Sequence, residues 1–221
     1  MPAFLTIPVL LICYALLLFQ FKLANSKRAY DVKASLINTG SLAPVIKRNI
    51  NGLMIFSAGI IIFLLMPYTF SFFQWTWTGT SIVLTVLLAG LCITISLLTG
   101  VKNAQPHPVV SQKQTIAYFS GRVFFLFVYE IFFRVILFQV CLSAFSVPVS
   151  FTINFVLYVL LHIYSSRNEF IGSMPFGLLL CYITFVSQSV YPAIILHLSV
   201  SLPFELLVLS RNGIKTKNVF V

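Results

Sequence analysis

Between Gly121 and Cys141 the chain reads GRVFFLFVYEIFFRVILFQVC, apolar enough to cross a bilayer yet carrying Glu130 and Arg134 near its middle. A charged side chain at the centre of a bilayer costs about 2.5–3.5 kcal/mol even on the lenient insertion scale. Four residues apart, the two lie on one helix face and can pair. Such a pair is either a strut between helices or part of a site. The rest of the chain matches this run: 59% of its 221 residues are apolar and 8% charged, with a mean hydropathy of +1.01. A soluble domain of that composition would expose far too much apolar surface. The long apolar runs recur as helices rather than barrel strands. The expectation is an all-α, polytopic transmembrane helical bundle forming a single membrane domain over residues 1–221.

The formal charge of +10 does not point to nucleic acid, because Lys and Arg fall in the connections between spans, where they set orientation. Spans are expected near residues 3–21, 50–73, 81–98, 121–141, 151–164, 170–187 and 190–209. Lys22, Lys27, Arg28, Lys33, Lys47 and Arg48 follow the first span, and none precedes it. A signal peptide would carry its positive charge before the apolar run. Seven spans with the N-terminus outside and the C-terminus cytoplasmic put every Lys and Arg except Arg134 on the inner side, ending in the basic tail RNGIKTKNVFV. The connection from Lys22 to Asn49 reads as a polar cytoplasmic loop, and QKQTIAYFSGR as a segment lying along the inner interface before turning in. Pro67 predicts a kink, and Trp75 and Trp77 an outer aromatic belt. Gly172, Pro175 and Gly177 predict close approach of neighbouring helices. Residues 1–100 hold three N-terminal spans and 101–221 a four-helix core with the basic tail.

The four cysteines, Cys13, Cys92, Cys141 and Cys181, all lie inside apolar spans without metal-like spacing. They read as small buried hydrophobes rather than disulfides or ligands. His107, in the loop PHP, reads as solvated. The intramembrane polar residues that remain are Glu130, Arg134, His162, His197, Ser201 and Glu205. Glu130 lies eight residues beyond Arg122, roughly 12 Å along a helix, and Ser201 lies ten before Arg211, roughly 15 Å. His162 is nearer the cytoplasmic end of its span. These groups can meet in a polar pocket open to the cytoplasmic side. Read singly, Glu130–Arg134 is a structural ion pair, and His162, His197 and Ser201 are hydrogen-bonded interface residues. Tyr129 is a packing aromatic with its hydroxyl satisfied locally.

The stretches YEIFFR (Tyr129 to Arg134), YVLLH (Tyr158 to His162) and HLSVS (His197 to Ser201) together resemble the CPBP family of intramembrane proteases, which includes CAAX prenyl proteases and bacteriocin-processing proteins. The resemblance covers roughly residues 122–209. It implies a catalytic site of Glu130, His162, His197 and Ser201, with Arg134 as ion-pair partner. The family's first motif opens on two glutamates, the first being the general base that activates water with the first histidine. Tyr129 stands at that position here, and a phenol with a pKa near 10 is a poor base at neutral pH. Glu130 matches the second, largely architectural glutamate, and its side chain points about 100° away from the first. His197 matches the second histidine, which with an asparagine stabilises an oxyanion. Ser201 replaces that asparagine and can still donate one hydrogen bond. Glu205, four residues on, is a candidate substitute carboxylate.

Two functions follow from this resemblance. One is a degenerate relative that binds or regulates a partner membrane protein. The alternative is an active glutamic-type endopeptidase cleaving a membrane-anchored or prenylated peptide near the cytoplasmic face. A rhomboid-type serine site lacks its glycine–serine motif, and a transporter lacks an evident inverted repeat. The resemblance points to metal-free chemistry, and no spacing demands a metal or cofactor. The expected setting is the lipid bilayer, as an integral protein of a bacterial cytoplasmic membrane.

Overall fold

The computed structural model describes residues 6–25, 32–65, 78–103, 110–163, 165 and 167–210. Pro67, Trp75, Trp77, His107, Lys27, Arg28 and the tail 211–221 lie outside the described residues. Among the described residues there are eight helices and no strand. They are α1 (Thr6–Asn25), α2 (Val32–Thr39), α3 (Ala43–Leu64), α4 (Gly79–Asn103), α5 (Gln112–Ala144), α6 (Val147–Leu161), α7 (Arg167–Ser187) and α8 (Tyr191–Ser210). Five of them, α3, α4, α5, α7 and α8, are long and apolar enough to cross a membrane. The other two expected spans correspond to the shorter apolar helices Ile7–Phe19, within α1, and Val147–Leu161. The molecule is an all-α membrane bundle.

Three boundaries differ from the sequence reading. The connection expected to be a polar loop contains α2, whose Val32 and Leu36 are buried with Leu42, Val45, Tyr118, Val208 and Leu209. Two apolar residues one turn apart were enough to fold it onto the bundle. Next, α3 begins at Ala43 rather than Ile50, with a proline in its first turn, where a missing N–H breaks no helical bond. Finally, the interfacial segment before the fourth span is not separate. Ser111 caps α5 by accepting a hydrogen bond from the Gln114 N–H at 3.3 Å, and the helix then runs 33 residues without a break. Burial of Tyr118 against α2, α3 and α8 draws that segment into the bundle.

The central rod is α5, and α3 runs parallel to it in constant register. A Cβ on Gly52 would collide with the Phe125 ring, and one on Gly59 would lie 3.1 Å from Phe132. Between them Phe56 meets Tyr129 edge-on at 5.3 Å between centroids. All three pairs are 73 positions apart. The two glycines are therefore notches for the aromatic face of α5. Elsewhere α4 lies along α8, where Gly100 admits Leu207 and the Ser96 hydroxyl donates to the Val200 carbonyl at 2.6 Å. The Tyr14 hydroxyl donates to the Leu157 carbonyl and ties α1 to α6.

Of the two glycines expected to permit close approach in α7, only Gly177 does. A Cβ there would sit 2.5 Å from the Tyr158 ring, whereas nothing lies within 4 Å of one on Gly172. Tyr158 cannot retreat, because its ring is hemmed by Tyr129, Phe133 and His162. Gly177→Ala is expected to lower stability by about 1–3 kcal/mol, the usual cost of overpacking. Gly172→Ala is expected to be neutral or stabilising by up to about 1 kcal/mol, from helix propensity. Thermal unfolding of both variants in detergent checks the contrast, and equal melting temperatures would contradict it.

Candidate functional site

Glu130 and Arg134 sit where α5 changes its winding. Residues Ile131–Leu137 form a π-helical segment, in which the Phe138 N–H bonds the Phe133 carbonyl five residues back. Such segments widen a helix and are frequently found at functional sites. Here the segment carries Arg134, and both charged residues are fully buried. The Arg134 Nε donates to Glu130 Oε2 at 3.0 Å, so the pair expected from the four-residue spacing forms.

The pair is not isolated. The other carboxylate oxygen, Glu130 Oε1, accepts from His197 Nδ1 on α8 at 2.5 Å. On the opposite side Arg134 Nη1 donates to Asn154 Oδ1 on α6, and Asn154 Nδ2 donates to the Phe133 carbonyl at 2.8 Å. The guanidinium also lies over the Tyr158 ring at 4.9 Å, which adds a cation–π attraction. One chain of polar contacts, His197–Glu130–Arg134–Asn154, thus crosses three helices and ends on the backbone of the π-helical segment. An ionised carboxylate only accepts, so His197 Nδ1 donates and Nε2 is the nitrogen left for a ligand.

Asn154 was missed in the sequence. It belongs to none of the three motifs, but an amide inside the apolar run FTINFVLYVLL is itself a signal. Polar groups inside apolar spans face neighbouring helices and find partners there.

Tyr129 is buried among Phe56, Phe125, Phe133 and Tyr158, with His197 edge-on at 5.7 Å. Its hydroxyl was expected to be satisfied locally. Instead it has no hydrogen-bond partner among the described residues. His162 caps the end of α6 rather than lying inside it. Its Nδ1 donates to the Tyr158 carbonyl at 2.9 Å, which leaves Nε2 as an acceptor. The Tyr158 ring stands between the histidines, 4.8 Å from His162 and 6.4 Å from His197.

Ser201 and Glu205 follow His197 by one and two turns of α8. Ser201 is half-buried and has no side-chain hydrogen bond among the described residues. The Glu205 carboxylate is joined to Arg122, with Nε 2.9 Å from Oε1. The structure therefore joins Glu130, Arg134 and His197 directly, brings Tyr129 and His162 to them through aromatic contacts, and sets Glu205 in a separate pair.

In chemical terms, both oxygens of Glu130 are bonded, and the one oxygen of Glu205 that is bonded belongs to an ion pair. Beside Glu130 stands a phenol, Tyr129, with its ring edge-on to His197. The arrangement leaves two imidazole nitrogens, Nε2 of His162 and Nε2 of His197, as the groups that could hold a hydrogen-bonding ligand. Residues 111–202 match a family model described as Type II CAAX prenyl endopeptidase Rce1-like. The match begins at the cap of α5 and ends just past Ser201. No curated protein and no solved structure matches the chain.

Replacing Asn154 with leucine keeps the volume but leaves a buried guanidinium nitrogen without its acceptor. Asn154→Leu is expected to cost about 1–3 kcal/mol. Combined with Arg134→Met, its cost should fall by an interaction energy of about 0.5–3 kcal/mol. A double-mutant cycle from thermal unfolding checks this, and strict additivity would show that the contact carries no energy.

Proposed function

We propose that this chain, a member of the CPBP family of CAAX-protease-like membrane proteins, has lost proteolysis and binds or regulates a partner membrane protein or a membrane-anchored peptide. The observation that carries the proposal is the double commitment of Glu130, one oxygen to Arg134 and the other to His197. A general base must reach the proton it abstracts, directly or through one water. Tyr129 replaces the family's first glutamate, and Glu205 is paired with Arg122. What the site retains is a rigid hydrogen-bonding surface suited to holding an extended segment.

The charge pattern supports a seven-span topology with the N-terminus outside and the C-terminus cytoplasmic; a bacterial cytoplasmic membrane is part of the proposal. The turns assigned to the outer face carry no Lys or Arg, as the positive-inside rule requires. On this reading Arg122, Glu205 and α2 lie toward the cytoplasm.

A second reading, an active endopeptidase, is favoured by one observation. The Nδ1 of His162 is fixed by the Tyr158 carbonyl, which is how a histidine is oriented for general-base work through Nε2. Purified protein offered membrane-anchored peptides separates the two. The expected result is no turnover by the wild type and a bound peptide that is retained by the wild type and held more weakly, but not released, by His162→Ala. Turnover that falls by about a hundredfold or more in His162→Ala, Glu130→Ala or Glu205→Ala, the usual size of an acid–base contribution, would overturn the proposal.

A further inference from the structure

Two polar contacts join α5 to α8, and they share one register. Glu130 meets His197, and Arg122 meets Glu205. Eight residues separate the rungs on each helix, roughly 12 Å, and the numbers run in opposite directions, so the helices are antiparallel. Midway between the rungs, α8 carries Ser201. His197, Ser201 and Glu205 thus form a polar stripe with four-residue steps along the α5 side of α8.

The parallel register of α3 on α5 brings in a third element. Gly52 faces Phe125 and Phe56 faces Tyr129, so Asn49 stands level with Arg122. Val45, one turn earlier, shares a buried cluster with Tyr118 in agreement with that register. The lower layer therefore combines Asn49, Arg122 and Glu205, and the upper one Tyr129, Glu130 and His197.

Both layers hold buried polar atoms without a partner among the described residues. They are both side-chain atoms of Asn49, Oε2 of Glu205 and the hydroxyl of Tyr129. These residues are 1%, 7% and 4% exposed, too little for bulk solvent to serve them. A buried unsatisfied group costs about 1–3 kcal/mol. Ordered water is the usual remedy where a site offers it two to four polar partners. At the lower layer a water beside Glu205 can donate to Oε2, and a water beside Asn49 can donate to Oδ1 or accept from Nδ2. At the upper one it can accept from the Tyr129 hydroxyl. Ser201 supplies a hydroxyl in between.

We infer that the seam between α3, α5 and α8 is a water-binding site, a buried file of water running from the Asn49–Arg122–Glu205 layer past Ser201 to Tyr129 and His197. It is the route by which water and protons reach the buried imidazole from the α2 end of the bundle. It operates whether or not proteolysis survives, because it depends only on the packing of these helices.

The test uses the full chain in nanodiscs, with its four cysteines replaced by alanine and Ser201→Cys introduced. A charged thiosulfonate reagent is attacked only by a thiolate, which displaces its sulfinate to form a mixed disulfide, and the thiolate forms in water and not in an apolar setting. Ser201→Cys is expected to react at least about tenfold faster than Ile195→Cys, on the outward face of α8. Equal rates would overturn the inference. A second measurement needs no substitution. Under hydroxyl-radical footprinting of the unmodified protein, Tyr129 is expected to be modified several-fold faster than Phe63, also buried in the core, after correction for intrinsic reactivity. Equal protection of the two would overturn the inference even if the cysteine variant failed to fold.

Discussion

A fully buried ion pair in an apolar bundle imposes conditions on everything around it. Taking Glu130 and Arg134 out of water carries a desolvation cost that their mutual attraction repays only if their remaining valences are also filled. The bundle fills two of them from other helices, while Arg134 Nη2 has no hydrogen-bond partner among the described residues. His197 on α8 takes the second carboxylate oxygen, and Asn154 on α6 takes a guanidinium nitrogen. The Tyr158 ring lies under the charge. The pair is thus less a source of net stability than a statement of which three helices must converge and at what height. Loss of any one partner leaves a charge buried without compensation.

The shape of α5 follows from the same constraint. Its π-helical segment begins directly after Glu130 and contains Arg134. Asn154 bonds the Phe133 carbonyl inside that segment while accepting from Arg134, so one amide serves both the wider winding and the charge. Aromatic side chains fill the space around the pair, and Gly52, Gly59 and Gly177 are the notches that let them approach. A phenol at position 129 suits this environment as packing, since four of its neighbours are aromatic carbon surfaces. Its hydroxyl has no hydrogen-bond partner among the described residues, so a position that packs well is polar only toward whatever enters the seam.

Much of this was legible in the residues. Apolar runs of span length announced helices, and the four-residue spacing announced the Glu130–Arg134 pair, because both are properties of a single helix. The motif YVLLH placed His162 beside Tyr158, one turn away. Other features were not legible. The short helix α2 is too weakly apolar to be seen by hydropathy, and its burial depends on a pocket formed by α3, α5 and α8. The start of α5 looked interfacial because Lys113 and Gln114 are polar, yet Tyr118 anchors it inward. Asn154 was visible as an odd residue, but its function depends on which helix it faces.

The sequence by itself determined the solvent, the helical class and the contacts made within one helix, since these rest on composition and on the fixed periodicity of the backbone. The tertiary structure alone decided which partners close the polar networks. His197 reaches Glu130 across 67 positions, and Arg122 reaches Glu205 across 83. Contacts at that separation are set by the register between packed helices. That register arises from the summed fit of many side chains, glycine notches included, and no local pattern encodes it.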